Sequence, residues 1–143
     1  MSQRIMQYPD GSMIQIGDLI WWDEGFCVGY VQAIEESKTE YESWGQNEPH
    51  IFVSNNHPFD ATTHSGVAYP ESSLADDGIA RLNPEERLEF DRAAVRAHRL
   101  VATDSDCYAV TTEVRDSRLH AWIFTYYKDD KNVQAVSVPA SQT

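Results

Sequence analysis

Basic residues are almost missing from the first half of this 143-residue chain. Residues 1–80 hold only Arg4 and Lys38 against 13 acidic groups, whereas residues 81–143 hold 9 basic and 10 acidic ones. The net charge of −12 therefore sits almost wholly in the first half. A field of that sign repels phosphate backbones and anionic lipid surfaces, which excludes nucleic acid and membrane as expected partners. It attracts a basic protein and speeds its approach. Cysteine is scarce too. Cys27 and Cys107 stand alone in apolar stretches, so neither a disulfide framework nor a zinc site of Cys-x-x-Cys spacing is expected. Glycine and proline together number 13, too few for a collagen-like or low-complexity chain. No apolar run reaches the roughly 18 residues of a membrane-spanning helix. The start, Met1-Ser2-Gln3-Arg4-Ile5-Met6-Gln7-Tyr8, has no apolar signal-peptide core. The expectation is a soluble cytoplasmic protein.

Catalytic motifs are missing as well: there is no Gly-x-Ser-x-Gly, Walker loop, dinucleotide-binding glycine fingerprint or His-Glu-x-x-His. A protein without enzymatic activity, metal or cofactor is expected. One constellation keeps a metal-dependent enzyme open as an alternative: His57, Asp60 and His64 within one loop, with His50 nearby.

The patterning predicts one α+β, β-rich domain over residues 1–143. Pro9-Asp10-Gly11 and Gly17-Asp18 are turns around a short strand, Met13–Ile16. Leu19–Trp22 and Phe26–Ile34 form a hairpin across Asp23-Glu24-Gly25, and Gly29 reads as a bulge or tight bend. A polar helical turn or ordered loop covers 35–46. Strands follow at Ile51–Val53, Val67–Tyr69 and Ile79–Leu82. Residues 1–82 are thus expected as a small antiparallel barrel. Asn83-Pro84-Glu85-Glu86 is a helix start, with an N-cap, a first-turn proline and acids where the dipole favours them. The helix should run to about Leu100, within a segment spanning 83–101, with Phe90, Ala93, Ala94, Ala97 and Val101 as its apolar stripe. Period-two patterning then returns in Cys107–Val114, Leu119–Tyr127 and Val133–Val138, a three-stranded meander within 102–143.

Candidate binding residues are aromatics set among acids. On a strand, Trp21 and Trp22 must face opposite sides, so one ring is either an outward anchor beside Asp23 and Glu24 or is covered by the helix or the last strands. Trp44 lies among Glu40, Glu42 and Glu48. The acids expected to meet a partner's Lys and Arg are Asp23, Glu24, Glu35, Glu36, Glu40, Glu42, Asp76 and Asp77.

Gln7-Tyr8-Pro9-Asp10-Gly11, Gly17-Asp18-Leu19-Ile20, Gly25 and Gly29-Tyr30-Val31 together resemble the opening of KOW/Tudor-type small barrels. They are also similar to short bacterial immunity proteins encoded beside secreted toxins, including type VI and polymorphic ones. The similarity continues through Glu40-Tyr41-Glu42-Ser43-Trp44 and Val67-Ala68-Tyr69-Pro70-Glu71. The resemblance implies a non-catalytic protein that binds one cognate toxin. A cytoplasmic antidote implies a target active in that compartment, with a nuclease and its basic active-site groove as the first expectation. A regulatory adaptor for a basic protein of transcription or translation is the alternative from another class.

Overall fold

The computed structural model describes residues 6–63, 66–101, 108–114, 121–129 and 131–139. It is α+β and strand-rich. Strands β1 (Leu19–Trp22) and β2 (Cys27–Glu35) lead to a short helix α1 (Lys38–Ser43). Strands β3 (His50–Ser54), β4 (Val67–Pro70) and β5 (Ala80–Arg81) precede the main helix α2 (Pro84–Leu100). Strands β6 (Tyr108–Val114), β7 (Ala121–Lys128) and β8 (Lys131–Pro139) complete the order.

Helix α2 forms where its local signals put it. Asn83 accepts a hydrogen bond from the Glu86 backbone, and the Glu86 carboxylate accepts one from the Asn83 backbone, a reciprocal capping box with Pro84 at the first turn. Phe90, Ala93 and Ala97 are its buried face, and Val101 is buried just beyond its end.

The strands do not divide into an N-terminal barrel and a separate meander. They join one antiparallel sheet, ordered β4-β3-β2-β6-β7-β8, with β1 also on β2 and β5 on β1. Strand β2 makes this possible. Cys27 pairs with Trp22 on one side and Glu113 on the other, while Tyr30 pairs with Leu19 on one side and Ser54 on the other. One edge of β2 therefore carries β1, and the opposite edge is shared between β6 and β3. No barrel closes among the described residues: the strands of 1–82 run β5-β1-β2-β3-β4, and the end strands β4 and β5 do not pair with each other.

Both faces of this sheet are covered. On one, Leu19, Val28 and Tyr30 pack with Phe90, Ala93 and Ala97 of α2 and with Trp122, Phe124, Val136 and Val138. On the other, Ile20, Val31, Ile51 and Val53 pack with Met6, Tyr8, Ile14, Tyr69, Leu74 and Ile79. Alternation along β1 sends Trp21 to the first core and Trp22 to the second, so each indole is partly buried.

Three local expectations need correction. Met13–Ile16 is not a strand; the Tyr8–Ser12 turn leaves a single bridge, Gln7 to Met13. Phe26 lies in the hairpin loop, exposed, instead of opening β2. The irregularity in β2 falls between Val31 and Ala33, not at Gly29. The extra residue, Gln32, moves Ile34 onto the second core, away from Val28 and Tyr30. Gly29 instead permits a close approach: a Cβ there would lie 2.4 Å from the Ser54 carbonyl oxygen and 2.9 Å from Trp22 Nε1. Cys107 and residues 119–120 of the strand expected at 119–127 lie outside the described residues. No helix among the described residues is long and apolar enough to cross a membrane.

Gly29→Ala should therefore destabilise the protein by about 2 kcal/mol through overpacking against the paired backbone. The check is the urea-unfolding midpoint; an unchanged midpoint would show that β2 and β3 leave room for a methyl group at this position.

Candidate functional site

The structure divides the predicted binding residues into two groups at opposite ends of β2. Eight residue steps from Cys27 to Glu35 correspond to roughly 26 Å of strand. Near the start of β2, the hairpin loop brings Asp23 and Glu24 beside Asp76 and Asp77. The Glu24 backbone N–H donates to the Asp77 carbonyl at 2.8 Å, which ties the hairpin tip to the turn that follows η-helical Glu71–Ser73. A sequence distance of more than fifty residues hides this juxtaposition. Asp23, Glu24 and Asp76 are exposed, and Asp77 is half-buried.

The tip is held in a costly backbone conformation. Asp23 and Glu24 have φ of 52° and 57°, followed by Gly25 at 87°. Two successive non-glycine residues in the left-handed region carry strain of about 1–2 kcal/mol each. The turn closes through Gly25 and Phe26 N–H groups donating to the Trp22 and Asp23 carbonyls. Gly78, at φ 68°, lets the second turn approach: a Cβ there would lie 3.2 Å from Glu24 Cα.

An aromatic floor supports the tip. Trp22 meets Tyr69 edge-on at 6.1 Å, so Trp22 is a support under the acids and not an outward anchor. Burial pushes the Tyr69 phenol up to about 12; a hydrogen bond with the Asp23 backbone opposes this, and the Asp23 and Asp77 charges add to it. Trp21 is covered by α2 and the last strands. It stacks on Trp122 at 5.4 Å, and its Nε1 donates to Glu86 at 3.3 Å. The exposed aromatic at this end is Phe26, 51% accessible, which sequence reasoning placed on a strand face. Its position directly after Gly25 in a hairpin loop was the available signal.

At the far end of β2 lie Glu35, Glu36, Glu40, Glu42 and Trp44. Several of these acids serve local structure. Glu40 completes a capping box with Ser37, whose hydrogen bonds hold its carboxyl below the usual range, and Glu42 lies 3.9 Å from Lys38. Glu35 and Glu36 are half-buried on the strand end, and Glu36 Oε2 is enclosed without a hydrogen bond. Trp44 is 42% accessible and rests on Phe52 at 4.9 Å. Beneath it lies His50, fully buried, with neither ring nitrogen hydrogen-bonded.

Among the described residues of the histidine loop, His57 and Asp60 are engaged in local contacts. His57 Nδ1 is 2.7 Å from the Tyr30 hydroxyl, and its ring packs against Phe90 and Phe124. The Asp60 carboxylate accepts from the Thr62 backbone and hydroxyl, and its carbonyl accepts from Gln32 Nε2. His64 lies outside the described residues. Residues 56–61 and Thr63 line an open depression of about 610 Å³. Among the described residues, no three His, Cys, Asp or Glu side chains form a group that could hold a metal ion.

Replacing Glu24 with glycine removes a left-handed side chain and should raise stability by up to about 1 kcal/mol, net of the greater freedom of the unfolded glycine; denaturant unfolding measures it. Burial holds both His50 and His57 below the ordinary 6.5. The unfolded chain then binds protons first as pH falls through 6.5. Stability is whole above that value and declines toward the depressed folded values, by at most about 1.4 kcal/mol per pH unit for each histidine. Unfolding midpoints at pH 7.5 and 5.5 should differ less in His50→Phe than in the parent; equal differences would exclude His50 as a contributor.

No protein-family model matches the chain, and neither does any curated protein or solved structure.

Proposed function

We propose that this protein is a non-catalytic immunity protein. It binds and neutralises a cognate secreted toxin acting in the cytoplasm, a nuclease in the first instance, by presenting acids to the toxin's basic groove. The observation that carries the reading is the strained hairpin tip. Asp23, Glu24 and Asp76 are solvent-facing, Phe26 is exposed beside them, and Trp22 and Tyr69 support them from beneath. An acidic hairpin tip with one exposed aromatic has the composition of a docking anchor with steering charges around it. Backbone strain kept at such a point is commonly tied to function. The group around Trp44 makes a second acidic surface, but Glu40 and Glu42 are engaged within α1, so the hairpin tip is the primary contact.

The test is co-expression with the product of each adjacent gene that is toxic when expressed alone, followed by binding kinetics on the purified pair. Rescue of growth is expected. Asp23→Asn with Glu24→Gln and Asp76→Asn should lower the association rate about tenfold at low salt and flatten its salt dependence, whereas Glu40→Gln with Glu42→Gln should change it little. No rescue, or an association rate indifferent to both salt and the tip substitutions, would overturn the proposal. Recovery of ribosomal or polymerase proteins in place of a toxin would favour the adaptor.

A further inference from the structure

His50 and Phe52, two residues apart on β3, share one face of the strand. Their register partners give them little cover: Glu35 and Pro70 flank His50, and Ala33 and Ala68 flank Phe52. Yet His50 is wholly inaccessible and Phe52 is buried. The side chain packed on both is Trp44, edge-on to His50 at 6.4 Å and tilted over Phe52 at 4.9 Å. Trp44 belongs to a strap, residues 36–49, that joins β2 to β3. The strap is fastened at its end, where the Glu71 N–H donates to the Pro49 carbonyl and the Ser72 N–H to the Glu48 carboxylate. Its middle is lightly held. None of residues 37–48 is buried, and the bonds of α1 and its closing turns run within the strap. Trp44 is the aromatic contact that lays it on the sheet.

We infer that residues 36–49 are an acid-released strap: protonation of His50 lifts Trp44 off β3 while the sheet and α2 stay folded. Neither ring nitrogen of His50 has a hydrogen-bond partner, so the imidazolium would bring two buried N–H donors and a charge with nothing to receive them. The charged groups around it do not supply that partner. Glu35, across the pair from β2, favours the imidazolium but makes no hydrogen bond to it, and Pro70 on β4 brings no charge. On the strap, Lys38 and Glu42 lie 3.9 Å apart, Glu40 caps α1 and Glu48 holds Ser72. Burial outweighs the pull of Glu35 and holds the folded ring below the ordinary 6.5. Water can reach the ring by two routes. Detaching β3 would sacrifice Ile51 and Val53 from the second core, whereas lifting the strap uncovers only His50 and Phe52. Opening follows the segment with the fewest buried contacts. The uncovered ring regains its ordinary value, so opening becomes easier as pH falls below 6.5, by up to about tenfold per pH unit. This release is local and precedes the global loss of stability.

Nuclear magnetic resonance of the full chain tests this. The Trp44 ring displaces the Phe52 ring-proton shifts, which therefore report the open fraction, with Trp44→Ala as the open reference. Between pH 7.5 and 5.0 the parent shifts should move toward that reference, the opening constant rising by at most about 30-fold, while ring contacts between Trp21 and Trp122 persist. His50→Phe should show no such response. Trp44→Ala, a change at an exposed position, should keep the Trp21–Trp122 contacts and let His50 titrate at the ordinary value. Glu35→Gln removes the charge that favours the imidazolium in place, so it should open further at pH 5.0. Phe52 shifts that stay fixed at pH 5.0 overturn the inference. So does a His50 titration unchanged by Trp44→Ala, and so does loss of the Trp21–Trp122 contacts over the same pH range, which would mark global unfolding.

Discussion

The stack of Trp21 on Trp122 beneath α2 is the contact on which the architecture depends. Trp21 belongs to the first strand and Trp122 to the seventh, and their rings meet at 5.4 Å with Phe90 edge-on to Trp122. Each indole N–H donates to a carboxylate on the same helix: Trp21 to Glu86 at 3.3 Å and Trp122 to Glu89 at 2.8 Å. The rings supply apolar area, and the two hydrogen bonds satisfy the donors that burial would otherwise leave unpaired. The helix is thereby fixed in position along the sheet as well as packed on it. Glu86 does this while also closing the capping box, so one carboxylate couples the helix start to the first hairpin.

A second constraint is the shared edge of β2. Because β3 and β6 occupy successive stretches of one side, the two arms of the sheet diverge beyond it. The loop after β3 packs toward the helix from this region: His57 contacts Tyr30, Phe90 and Phe124, and Phe59 lies against Tyr30. His57 is thus a packing and hydrogen-bonding element of the first core. His50, fully buried at the other arm where His57 is half-buried, has no hydrogen bond at either ring nitrogen and is covered by Trp44. Protonation of either ring opposes burial, which makes the fold sensitive to mild acid.

Much of the element map was legible because its signals are local. Asn83-Pro84-Glu85-Glu86 announces α2 through groups within one helical turn, and Asp23-Glu24-Gly25 announces a hairpin through turn chemistry alone. The excess of acid in residues 1–80 is likewise a property of the chain. The candidate site was less legible. Trp22 turned out to be a floor and Phe26 the exposed ring, since a four-residue loop takes Phe26 out of strand alternation. Gln32 reverses the facing of the residues after it, and nothing in its neighbours marks the shift.

Composition and local stereochemistry by themselves determined a strand-rich α+β chain, one long capped helix, the positions of its main turns and a negative first half. Tertiary structure alone decided that the strands share one sheet instead of closing a barrel, because pairing of Cys27 with Glu113 joins residues 86 positions apart. It also decided where the acids stand. The length of β2 separates them into two ends, and the Glu24 to Asp77 hydrogen bond gathers one set into a tip. Charge is counted along the chain, but a field is felt in space, and only folding converts one into the other.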